Sequence, residues 1–99
     1  MPVTAVIHFT AQPGKRDDLI AFLSGVQGGA ITAGCHSIAV HRDLGDPDKV
    51  FEIEYWDAQA DHEAFVKAAA DAGAFAPFET LLAGPFTVAY GEPAKRTER

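Results

Sequence analysis

The sequence predicts an α+β fold of ferredoxin-like topology with a four-stranded antiparallel sheet. Three observations carry the prediction: four strand-like runs, two helical stretches, and their order of strand, helix, strand, strand, helix, strand. With 99 residues, 47% of them hydrophobic and 22% charged, the chain has the size and composition of one globular domain. Residues 1–92 are expected to form it and 93–99 a flexible tail. Right-handed crossovers put both helices on one face of the sheet and leave the other bare. Two copies packing their bare faces together would cover both, so a homodimer is expected.

Each element has its own signal. Val3–Thr10 alternates, with Val3, Ala5, Ile7 and Phe9 on one side and Thr4, Val6, His8 and Thr10 on the other, as a half-buried strand does. Gln12-Pro13-Gly14 breaks it. From Lys15 to Val26, Leu19, Phe22, Leu23 and Val26 recur at helical spacing, with Asp17 and Asp18 in the first turn. Gly28-Gly29 costs roughly 1 kcal/mol per glycine against alanine, so the helix is expected to end there and 27–34 to be a loop. Cys35–Leu44 and Lys49–Trp56 are rich in strand formers and flank the turn residues Gly45-Asp46-Pro47-Asp48, a hairpin pattern. Asp57 is the expected N-cap of a helix over Ala58–Ala72 that Gly73 stops. A short helical turn within Ala74–Leu82 and a last strand at Phe86–Tyr90 complete the order.

Composition excludes several classes of partner and cofactor. A net charge of −6 opposes a phosphate backbone, and the only basic cluster is Lys95, Arg96 and Arg99, so no nucleic acid is expected. No apolar run approaches the roughly 18 residues of a membrane helix, so no membrane partner is expected. The single Cys35 excludes an internal disulfide, and with no signal-peptide pattern at the start the expected location is cytoplasmic. His36, His41 and His62 lack metal-ligand spacing, so no metal is expected.

Parity sorts the chemistry-bearing residues. If Val3, Ala5, Ile7 and Phe9 face the helices together with Phe51, Ile53 and Tyr55, then His8, Glu52 and Glu54 face the opposite, dimer side. His8 would lie near Glu52 there, either as a base oriented by a carboxylate or as a satisfied interface pair. Phe9, Phe22, Phe51, Tyr55 and Phe65 could line an aromatic, mostly dry space under the helices that suits a planar ligand, or fill it as plain core.

Nearly the whole chain, from Phe9 through Pro13-Gly14 and on to Pro93, resembles the antibiotic biosynthesis monooxygenase (ABM) family of dimeric α+β barrels. The resemblance lies in Gly34-Cys35, His41-Arg42-Asp43, Asp46-Pro47, Glu54 two before Trp56, Glu63-Ala64-Phe65, and Phe75 to Gly84 before the last strand. It implies a contact between Trp56 and substrate, in a pocket near that residue. Trp56 shares the parity of Glu54, however, whereas the family's pockets lie between sheet and helices. Heme-degrading members carry asparagine in the middle of the first strand, where this chain has Ile7. A histidine often found later in the second helix is absent, leaving His62, one turn earlier, as its replacement.

The function implied is a cofactor-independent monooxygenase with molecular oxygen as co-substrate, converting a small phenolic or anthrone-type aromatic to a quinone. Trp56 and Tyr55 would hold the ring, and His8 or His62 would take the proton. Two alternatives stay open: a non-catalytic ligand-binding or scaffolding dimer, and a cyclase or isomerase of the same fold.

Overall fold

In the computed structural model, which describes residues 2–99, the alternating first run forms strand β1 (Val3–Thr10). It is followed by α1 (Arg16–Thr32), β2 (Cys35–Arg42), β3 (Lys49–Trp56), α2 (Gln59–Asp71), α3 (Phe78–Leu81) and β4 (Thr87–Gly91). The four strands make one antiparallel sheet in the order β2-β3-β1-β4, the ferredoxin-like order expected from the sequence. The shortest dimension, 19 Å, is the depth of two layers, one of sheet and one of helix.

Besides one-residue shifts, such as β4 at Thr87–Gly91 in place of Phe86–Tyr90, three features of the elements differ from expectation, each for a local reason. The first helix does not stop at Gly28-Gly29 but continues to Thr32. At Gly29 the Phe65 ring of α2 lies 3.4 Å from where a Cβ would stand, and packing of this kind between the helices outweighs the weak helix propensity of glycine. Asp57 does not cap α2; the N-cap is Ala58, without a side-chain hydrogen bond. The Asp57 carboxylate pairs instead with His36 on β2. Third, β2 ends at Arg42, because Asp43 turns the chain by accepting hydrogen bonds from the backbone of Gly45 (2.9 Å) and Asp46 (2.8 Å). Gly73 does stop α2: its φ of +75° is reached at little cost without a Cβ.

The larger difference concerns which face of β3 is covered. Ala5, Ile7 and Phe9 face the helices and are buried, as expected. Their cross-strand partners are Glu54, Glu52 and Val50, and directly paired residues share a face. The even residues Val50, Glu52, Glu54 and Trp56 are therefore buried under the helices, while Phe51, Ile53 and Tyr55 lie on the bare face, with Tyr55 50% exposed. The expectation that Phe51 and Tyr55 face the helices, with Glu52 and Glu54 opposite, is thus overturned. The wrong parity for β3 came from taking its more apolar set as the buried one. Leu19, Leu23 and Ala30 of α1 close the core over this face together with Trp56, Cys35 and Leu82.

Candidate functional site

Between sheet and helices lies a cavity of about 450 Å³ of empty space, part of it open to solvent. Its floor is Ile7 and Phe9 of β1, Ile38 of β2, and Glu52 and Glu54 of β3. Leu23, Val26, Gln27 and Ala30 of α1 form one wall, and His62, Phe65 and Val66 of α2 the other. Phe75, Phe78 and Phe86 close the remaining side, and the same three rings border an open surface groove running past Leu82 and Pro85. Enclosed room is small: about four water molecules would fit. The walls are thus mostly apolar and aromatic, with Gln27, Glu52, Glu54 and His62 as the polar exceptions. No Lys or Arg is among the described residues that line the space.

Those polar groups are joined in a network. The Trp56 indole Nε1–H donates a hydrogen bond of 2.7 Å to Glu54 Oε1. The same oxygen stands 3.7 Å from His62 Nε2, an ion-pair distance if the ring is charged. His62 Nδ1 shares a hydrogen bond of 2.5 Å with the Tyr90 hydroxyl on β4. Ring packing fixes the imidazole: Trp56 lies edge-on at 5.1 Å and Tyr90 edge-on at 5.4 Å. Glu52 meets Glu54 and Gln27.

Burial sets the charges. Glu52 and Glu54 are each only 5% exposed, and two adjacent carboxylates in a dry space cannot both ionise cheaply. Desolvation, with the charge of Glu54 second, raises Glu52 from 4.5 to about 8, so at neutral pH it holds a proton that it shares with Glu54. Burial also lowers His62 below its ordinary 6.5, against the pull of Glu54, so the ring is neutral at pH 7. Tyr90 is raised by burial and then by the charges of Glu63 and Glu54, and stays a hydroxyl. Cys35, raised to about 11 by burial and then by Glu54, is a packed thiol without nucleophilic character.

The structure brings together some of the residues expected at the site and separates others. His62, Phe9 and Phe65 line the cavity. Trp56 is fully buried one layer behind it, against His62 and Phe65, and reaches the space through Glu54. It faces the helices, which removes the conflict between its parity and a helix-side pocket. Phe22 packs edge-on against the cavity residue Phe78 at 5.1 Å without itself lining the space. His8, Phe51 and Tyr55 lie on the opposite face of the sheet. His8 stands across from Phe51, not Glu52, so the His8–Glu52 pair does not form.

Sequence reasoning missed Gln27, Tyr90 and the three closing phenylalanines as site residues, and had Glu52 and Glu54 on the wrong face. Gln27 was hidden by the early end given to α1: once the helix continues, Leu23, Gln27 and Ala30 fall on one stripe. Tyr90 was legible from its alternation with Val88, both being cross-strand partners of inward β1 residues.

Comparisons with known proteins agree with this architecture. A likeness in fold is seen with a Bordetella bronchiseptica protein provisionally named an antibiotic biosynthesis monooxygenase: 21% identity, 95% of this chain and 98% of that one covered, TM-score 0.84. A Chloroflexus aurantiacus protein given the same provisional name is 28% identical over 97% of this chain and 98% of its own, with a TM-score of 0.71. A Mycobacterium tuberculosis protein is 18% identical over 99% of this chain and 100% of its own, with a TM-score of 0.79. No curated protein matches. The sequence model of the antibiotic biosynthesis monooxygenase family matches residues 2–76, three quarters of the chain, and the chain belongs to that family.

Proposed function

We propose that the protein is a cofactor-independent monooxygenase that oxidises a small phenolic or anthrone-type aromatic to a quinone, working in the cytoplasm as a homodimer. The observation that carries this reading is the cavity: an apolar lining that includes the rings of Phe9, Phe65, Phe75, Phe78 and Phe86, and a single polar patch built from Glu52, Glu54, His62 and Gln27. Such a space holds a planar ring, excludes bulk water and offers one place for a proton to go. A ring needs roughly 150 Å³ of enclosed room, so binding displaces the water and moves a ring of the Phe75, Phe78 and Phe86 rim.

The chemistry follows from the network. Neutral His62 can accept a proton on one nitrogen when the other carries a hydrogen donated to the Tyr90 oxygen. It takes the acidic C–H proton of the substrate, and the imidazolium formed is stabilised by Glu54 at 3.7 Å. Trp56, by holding Glu54 in place, is a positioning residue. The substrate carbanion passes its electrons to O₂ and forms a C–O bond. Proton return and loss of water then convert the CH₂ group to C=O, so one O₂ yields one carbonyl and one water.

The bare face of the sheet supports the dimer. Val6, Phe51, Ile53 and Tyr55 present an apolar surface there, and a second copy offers the same patch in return.

Incubation with anthrone in an oxygen electrode tests the reading. Uptake of one O₂ per anthraquinone formed is expected, and uptake no faster than in buffer alone would overturn it. The tightness of the cavity favours a second reading, a ligand-binding dimer without turnover, which the same experiment separates. A cyclase or isomerase would form product without consuming oxygen.

A further inference from the structure

A pair of buried carboxyls sharing one proton presents a ligand chiefly with acceptors. Glu54 accepts from Trp56 and from the shared proton, and Glu52 keeps lone pairs beside Gln27. Nothing cationic lines the cavity to receive an anion, since no Lys or Arg is among its described residues and His62 is held neutral. The remaining lining is apolar, so a ligand's only strong polar contact is made here. A ring that brings a hydrogen-bond donor satisfies Glu52. A ring with an ether at that position leaves a buried acceptor without a partner, and a carboxylate sets like charges against each other in a dry space.

We propose that Glu52 is the specificity-determining group of the cavity, selecting an uncharged aromatic that presents a hydroxyl donor and refusing its carboxylated or O-alkylated counterparts. The proposal rests on the cavity being the ligand site, as in the function given above, but does not require turnover. It names a requirement that the apolar walls cannot impose: shape alone treats 2-naphthol, 2-methoxynaphthalene and 2-naphthoate almost alike.

The test is calorimetric titration of the wild-type protein and the Glu52→Leu variant with those three probes at pH 7, in the absence of any oxygen assay. Leucine keeps the packing and removes a buried acid, so the variant retains its fold; a thermal melt at pH 7 checks this. For the wild type, 2-naphthol binds at least tenfold more tightly than either other probe, the size expected of one buried hydrogen bond lost or one like-charge contact made. In Glu52→Leu, the preference for 2-naphthol over 2-methoxynaphthalene falls to within about twofold. General damage to the cavity would weaken both ligands together and leave their ratio standing. The proposal is overturned if wild type binds 2-methoxynaphthalene or 2-naphthoate as well as 2-naphthol, if the ratio survives in Glu52→Leu, or if none of the probes binds. Selective binding without oxygen uptake from anthrone would sink the monooxygenase reading alone. Oxygen uptake together with unselective binding would sink this one alone.

Discussion

The two faces of strand β3 differ in the opposite sense to their polarity. The covered face carries Val50, Glu52, Glu54 and Trp56, and the bare face carries Phe51, Ile53 and Tyr55. Carboxyls can be buried here because each has something to meet: an indole N–H, a glutamine amide, and a proton shared between them. The bare face has no partner among the described residues, and its apolar residues are what a second copy would cover. Where folding buries one face and the proposed dimer would cover the other, hydrophobicity does not distinguish the two faces. Chemistry does: the polar network is on the side with the cavity, whereas the bare side sets apolar Val6, Phe51, Ile53 and Tyr55 among Thr4, His8 and Thr10 without such a network.

The largest effect that can break this contrast is loss of Trp56. Trp56→Ala empties a fully buried site and leaves Glu54 without its donor, so urea unfolding should show a loss of about 3–5 kcal/mol. Tyr55→Ala, one residue away on the bare face, should instead make the melting temperature more dependent on protein concentration. An Ile53→Asp change should shift the sedimentation coefficient from dimer to monomer, since a charge at the centre of an apolar interface is left desolvated. Retention of the dimer by that variant would remove the bare face from the assembly.

Glu52 gives a smaller effect with a definite sign. Because its folded pKa of about 8 lies above its ordinary 4.5, the native state binds more protons than the unfolded state across that window, and stability falls as pH rises. His62, lowered by burial, acts in the opposite direction, adding stability as pH rises but only up to about 6.5. Between pH 6.5 and 8 only the Glu52 contribution remains, with a slope of at most about 1.4 kcal/mol per pH unit. The stability of wild type, measured by urea unfolding, should therefore fall across that range by about 1–2 kcal/mol, and Glu52→Gln should flatten the profile. The smallest effect is at Gly28, exposed inside α1 with open space where a Cβ would go: Gly28→Ala should stabilise by about 0.5–1 kcal/mol.

Strand order, hairpin and topology were legible in the sequence because alternation and turn residues are local signals. Faces were legible for β1, whose apolar set is the buried one, and not for β3, where two surfaces compete for burial. One residue did carry the correction: Trp56 shares the parity of Glu54, and the larger buried side chain decides the face. Helix length was misjudged at Gly28-Gly29 because propensity is a weak local preference and the close passage of Phe65 is a tertiary fact. His62 was legible as a site residue only through family resemblance, since its hydroxyl partner, Tyr90, lies 28 residues away on another strand.

The central claim, that chemistry belongs to the covered face, is tested most directly by comparing two histidines on opposite sides of one sheet. Oxygen uptake with anthrone should fall by about 10²-fold or more in His62→Asn, which loses the base in the cavity, and stay near the wild-type rate in His8→Asn. Loss of uptake in His8→Asn with retention in His62→Asn would place the reaction on the other face and contradict the account.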